Sequence, residues 1–177
     1  QKQSHARYLI QFRFSEPRIQ QTQQTILLMD PEHPVVKLCA EGMQAEMEGR
    51  PADARTLFTK AWNRATDDYE ACIAAHYVAR HQETPEETLR WNLEALNRAK
   101  AVNDGRIDGF RPSLYLNMGW SHEMLGENAE AARYYMLAET EVEELPADGY
   151  GALVRGGIAE GLKRVGAAGG AAPAEPE

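Results

Sequence analysis

Apolar residues recur at every third or fourth position along most of the chain, the spacing that gathers them on one side of an α-helix. This pattern predicts helices over Val35 to Met47, Pro51 to Thr66, Tyr69 to His81, Pro85 to Val102, Ser113 to Leu125, Ala129 to Glu144 and Asp148 to Val165. The polar breaks between them are short and carry the turn formers EGRP, HQETP, LGEN and LPADG. Pro51 and Pro85 fall in predicted first turns, where a missing backbone donor costs nothing. Period-two alternation is confined to Tyr8, Ile10, Phe12 and Phe14, a strand pattern that no later segment is placed to pair with. A helix over Pro17 to Met29, capped by Ser15, is the alternative there. The predicted fold class is therefore all-α.

The ends differ in composition from the middle. Residues 1–28 are rich in Gln and read as an N-terminal extension, poorly ordered or weakly helical; a start at Met29 would resemble a native one. Residues 29–165 form the helical domain. Residues 166–177 are Ala, Gly, Pro and Glu with no large apolar side chain, so this tail is expected to be disordered.

The helical part repeats itself. From Gly119, steps of 7, 12, 16 and 19 residues reach Gly126, Ala131, Tyr135 and Ala138; from Gly42 they reach Gly49, Ala54, Phe58 and Ala61. An intermediate unit from His76 gives Glu83, Thr88, Asn92 and Ala95. Gly42 and His76 are 34 residues apart, and His76 and Gly119 are 43 apart, the extra nine matching the turn-rich loop 103–111. This pattern resembles the tetratricopeptide repeat, a 34-residue helix–turn–helix with a small residue in its first helix and Ala, an aromatic and Ala in its second. Pro146 stands where that family closes a unit. The family's early Trp is replaced by Leu38, Cys72 and Tyr115, and its small residue by His76 in the middle unit, where the helix pair is expected to be spaced more widely. The resemblance implies a solenoid of about three units, 35–68, 69–102 and 112–145, with 148–165 as a capping helix. It implies that Gly42 and Gly119 let the helices of a pair approach, against Ala54 and Ala61 or Ala131 and Ala138.

The first helix of each unit carries a second apolar stripe: Cys39, Met43, Glu46 and Met47; Ile73, Tyr77, Arg80 and His81; Leu116, Trp120, Glu123 and Met124. In the family, that stripe faces a concave groove. Its rungs here, Met43–Tyr77–Trp120 and Met47–His81–Met124, would make an apolar, adaptable trough edged by Glu46, Arg80 and Glu123. The family's well-known carboxylate-binding groove is not reproduced, because only Asn117 and Arg80 supply suitable groups nearby.

Composition narrows the function further. The net charge of −8 disfavours a general nucleic-acid binder or an anionic membrane surface. No apolar run exceeds five residues, far short of a membrane span, and no signal-peptide core is read at the start. Cys39 and Cys72 sit in apolar helical patterns, which fits buried free thiols in a reducing cytoplasm. His122-Glu123 begins like a zinc-protease helix, but Gly126 stands where the second His belongs. Gly149-Tyr-Gly151 lacks the third glycine and preceding strand of a dinucleotide site, and no phosphate loop is present. The acids of loop 103–109 are too few for a calcium loop, and the run Glu139–Glu144 reads as a solvated helix face. The expected protein is therefore a non-enzymatic adaptor without cofactor or metal, monomeric or a weak homodimer, taking a protein helix or peptide into the trough. A structural or self-associating protein, its groove filled by residues 1–28 or a second copy, is the alternative. An enzyme would need a site that none of these motifs provides.

Overall fold

A computed structural model describes residues 33–145, 147 and 149–169. The readings of residues 1–28, Pro146, Asp148 and 170–177 lie outside the described residues. Among those described, the chain is all-helical: α1 (Pro34–Met47), α2 (Pro51–Arg64), α3 (Asp68–Ala79), α4 (Pro85–Ala101), α5 (Arg111–Met124), α6 (Asn128–Glu141) and α7 (Gly149–Gly169), with short 3-10 turns at Asp108–Phe110 and Val142–Glu144. α2 and α4 begin on Pro51 and Pro85 as expected, α1 begins on Pro34, one residue earlier than predicted, and α5 has Pro112 in its first turn. Asp67 and Thr84 cap α3 and α4 by accepting the amides of Glu70 and Glu87 at 2.8 and 3.2 Å. α1 and α5 end on Gly49 and Gly126, whose φ of 72° and 76° is the left-handed conformation that favours glycine.

The helices pack as consecutive hairpins. α1 lies on α2, α3 on α4 and α5 on α6; α2 also meets α3, α4 meets α5, and α6 meets α7. Contacts skip one helix as well, from α1 to α3 and from α5 to α7. One buried cluster runs from Val35 through Phe58, Ile73 and Leu96 to Met118, and two smaller ones join α5 and α6 to α7.

The interior glycines and the aromatic 16 residues later form the key of two hairpins. A Cβ on Gly42 would stand 2.3 Å from the Phe58 ring, and one on Gly119 would stand 2.6 Å from the ring of Tyr135. Both rings are fully buried, as are Ala54, Ala61, Ala131 and Ala138. The glycine therefore makes room for a ring rather than for an alanine, which corrects the sequence expectation. Losing helix propensity costs about 1 kcal/mol at each glycine. Burying a Phe-sized side chain returns about 1.5–3 kcal/mol, so the exchange favours the ring.

The middle hairpin reaches the same end differently. By the repeat's spacing His76 stands at the glycine's place and Asn92 at the ring's, so here the ring-bearing side chain is on the first helix. α3 and α4 contact each other as extensively as α1 and α2 do, so the wider spacing expected from His76 is absent. His76 packs edge-on against Phe110 and Tyr77, at centroid distances of 4.8 and 5.0 Å. Phe110 comes from the loop after α4, which also buries Ile107 completely. That loop is thus a core plug as well as a pair of turns, pinned by Arg106 to Asp104 at 2.7 Å and laid over Tyr69 at 4.5 Å.

α7 runs four residues beyond Val165, so the start of the expected disordered tail is helical. Val154, Ile158 and Val165 bury one side of the helix. Gly157 and Gly161 admit Leu116 and Tyr135, whose atoms would lie 3.0 and 2.5 Å from an added Cβ. Tyr135 is therefore held between Gly119 of α5 and Gly161 of α7. Arg155 donates to the carbonyls of Val142 and Leu145, tying α7 to the turn after α6. Val142 is buried within the acidic run, so only part of that run is solvated.

Candidate functional site

The second stripe of the first helices divides into buried and accessible parts. Met43 and Tyr77, expected to line the trough, are 5% and 3% exposed and belong to the core. Tyr77 stacks on Phe58 at 5.2 Å, and burial raises its phenol well above the ordinary value. Tyr77, next to the key position His76, thus faces the second helix of the preceding hairpin, and Met43 joins the same buried cluster. Met47, Arg80, Asn117, Trp120, Glu123 and Met124 are half-buried and keep part of their surface.

Two ion-pair clamps order this face. Glu46 of α1 accepts from Arg80 at 2.9 Å and pairs with His81 at 2.6 Å, both from the end of α3. The His81 side chain is 8% exposed and lies beside the Phe58 ring, so it closes the clamp rather than flooring a trough. Glu123 of α5 takes both Nε and Nη2 of Arg164 on α7, at 2.6 and 3.0 Å, and the Tyr135 hydroxyl at 2.6 Å. Burial and the Glu123 carboxylate hold the Tyr135 phenol above its ordinary value. A bidentate pair with little freedom fixes geometry better than an exposed single contact does. The Arg164 guanidinium also lies over Trp120, 5.3 Å from the ring centroid. The rungs therefore do not form one continuous trough: Met43, Tyr77 and His81 are withdrawn into the core or a clamp, and Trp120 stands under Arg164 of α7.

A buried polar group joins the second and third hairpins. The Asn92 amide donates to Ser121 at 2.8 Å, Ser121 donates to the Asn117 carbonyl at 2.9 Å, and the Asn117 amide meets His76 Nδ1 at 3.1 Å. An amide donor there requires the unprotonated nitrogen of a neutral imidazole. Burial, with a lesser contribution from Arg80, pulls the His76 pKa down to about 3, consistent with that state. Asn92 Oδ1 is buried with no partner.

The sequence singled out neither Trp62 nor Trp91, which meet edge-to-face at 5.1 Å between α2 and α4. A hollow opens on each side of this pair. One is lined by Trp62, Thr66, Asp67, Asp68 and Arg98, the other by Trp91, Thr59, Gln82, Glu83, Glu87 and Arg55. Three-to-four spacing marked both helices, but it could not tell which of their apolar residues cross between hairpins. Trp62 lies 20 residues from its key position and Trp91 only 15, so no shared slot drew attention to the pair.

Cys39 and Cys72 are free and fully buried, and burial raises both thiols to about 12. Among the described residues, no three or more His, Cys, Asp or Glu side chains are grouped to hold a metal ion. No described helix is long and apolar enough to cross a membrane. The chain matches no protein-family model, no curated protein and no solved structure.

Proposed function

We propose that the protein is a short solenoid of three tetratricopeptide-like hairpins closed by α7, and that it serves as a protein-interaction module. The observation that carries this reading is the recurrence of two contacts at fixed offsets. A glycine meets a ring 16 residues on in the first and third hairpins. The residues four places after Gly42, His76 and Gly119 are Glu46, Arg80 and Glu123; Glu46 pairs with Arg80, and Glu123 pairs with Arg164 of α7. Arg164 thereby puts α7 in the position of a first helix, with Gly161 against Tyr135 as Tyr77 is against Phe58. Stacking of this kind builds an extended surface whose geometry is set by neighbours, and such surfaces suit the holding of a partner segment. The partner lies across Trp120, Met124 and Asn117, the accessible aromatic and sulfur-bearing part of the first-helix face. No cofactor and no chemical step is part of this reading.

A displayed peptide library selected on the full chain tests it. Selected peptides should shift the Trp120 indole resonance, and Trp120→Ala with Met124→Ala should weaken them at least tenfold while circular dichroism stays helical. Binders that ignore both substitutions, or a library that yields none, would remove this face as the binding site.

A further inference from the structure

We infer that the hollow beside Trp91 is a second docking site, separate from the Trp120 face, and that it takes an arginine side chain from an extended, basic partner peptide. The molecule supplies its own example of the chemistry next door. In the hollow beside Trp62, Arg98 lies with its guanidinium carbon 5.8 Å from the indole centroid. Asp68 and Glu94 hold that guanidinium at 2.9 and 2.8 Å. A planar cation on an indole face, closed by carboxylates, is a favourable arrangement because weak hydration lets it leave water cheaply.

The hollow beside Trp91 has the same parts, and among the described residues no cation is seated over its indole. Its volume is about 330 Å³, against about 320 Å³ for its neighbour. Trp91 forms one wall, and Thr59 and Gln82 offer polar groups. Glu83 and Glu87 supply the carboxylates. Glu87 makes no ion pair among the described residues, and Glu83 is shared only with Arg55, at 3.2 Å, in a pair whose side chains are 53% and 70% exposed. Such an exposed pair is weak and readily exchanged. The two acids outnumber the one arginine at the rim, and the chain's net charge of −8 draws a cation in from a distance. The hollow is walled by α2, the α3–α4 turn and the start of α4, so one arginine can enter from a peptide laid across that rim.

The test uses the full chain and an acetylated, amidated Gly/Ala hexapeptide with one central arginine, followed by indole NMR shifts. The arginine peptide should move the Trp91 indole signal and leave Trp120 unmoved, and its citrulline counterpart should bind at least tenfold more weakly. Glu87→Gln should weaken the arginine peptide about fivefold, and 0.5 M salt should weaken it further. Arg55→Ala should tighten it by releasing Glu83. Both substitutions are at the surface and leave the core intact, so neither result depends on a folding defect. Equal binding of the citrulline peptide, preference for a glutamate peptide, or weaker binding on Arg55→Ala would each overturn the proposal. Concentration-dependent shifts of Trp91 without peptide would assign the hollow to a second copy and overturn it too. A failure confined to Trp91 leaves the Trp120 reading standing, since the two sites share no residue.

Discussion

The first and middle hairpins solve one packing problem in opposite ways. In the first, Gly42 of α1 yields space to Phe58 of α2. In the middle one, the ring belongs to His76 of α3, and Asn92 of α4 is the small partner. What the two share is one large and one small side chain across the helix pair, on whichever helix each happens to lie. The exchange has a chemical consequence. Phe58 needs no polar partner, whereas His76 and Asn92 bring hydrogen-bonding groups into the core. There Asn117 and Ser121 of the next hairpin pair with His76 Nδ1 and the Asn92 amide N–H, while Asn92 Oδ1 stays unpaired. Through Phe58 the first hairpin leans on its neighbour by ring stacking, and the polar one depends on its neighbour's hydrogen bonds and on the plug residue Phe110.

The largest effects should come from removing the rings of the first kind of hairpin. Phe58→Ala and Tyr135→Ala are each expected to cost about 3–5 kcal/mol, measured by urea unfolding, because the cavity adds to the lost transfer energy. Asn92→Ala should cost far less, since its hydrogen bond with Ser121 is one of two that Ser121 makes. A small loss at Phe58 would erase the distinction. Overpacking comes next: Ala131→Leu, at a fully buried site against α5, should lose about 1–3 kcal/mol.

Acid separates the two hairpins more selectively. His76 has its pKa lowered from about 6.5 to about 3, so the folded state favours the neutral ring more than the unfolded state does. That stabilisation is complete above pH 6.5 and is lost progressively as the pH falls toward 3. At pH 5 the loss should be about 2 kcal/mol, and His76→Gln should remove this part of the acid sensitivity while leaving that of the carboxylates. Equal acid sensitivity in the two proteins would mean that the unfolded chain holds the imidazole in the same state. The smallest effects belong to the turn glycines. Gly126→Ala should cost about 1–2 kcal/mol through its positive φ alone, because no atom lies within 4 Å of the added Cβ. Gly119→Ala should cost more despite its better helix propensity.

The helices themselves were legible because each buries one face, and burial at three-to-four spacing leaves its mark on the sequence. Their limits agree with the predicted ones to within about two residues, apart from the end of α6, whose last three predicted residues form a 3-10 turn, and the end of α7. There the small residues after Val165 looked too poor in apolar surface to be ordered, yet a helix already docked through Val165 continues at little further cost. The slots at steps of 16 and 19 were visible too, but not which of them touches the glycine. A single pattern of sizes cannot distinguish a ring over a glycine from an alanine beside it. The trough was the least legible. A stripe rotated from the partner helix can face a groove or the preceding hairpin; Tyr77 does the second, against Phe58, and Met43 is buried in the same cluster. Trp62 and Trp91 were missed for the complementary reason: they lie on the second helices, where the search for a groove did not look.

The central claim is that residues 16 apart share one space, divided between the two helices of a pair. A double-mutant cycle in the middle hairpin tests it most directly, using His76→Gly, Asn92→Phe and the two together, with stability measured by urea unfolding. Each single change should be strongly destabilising, one by leaving a void and the other by crowding His76. The double variant rebuilds the Gly42–Phe58 arrangement and should be at least about 2 kcal/mol more stable than the sum of the single losses predicts. Losses that simply add would contradict the account, because the two positions would then not share a space.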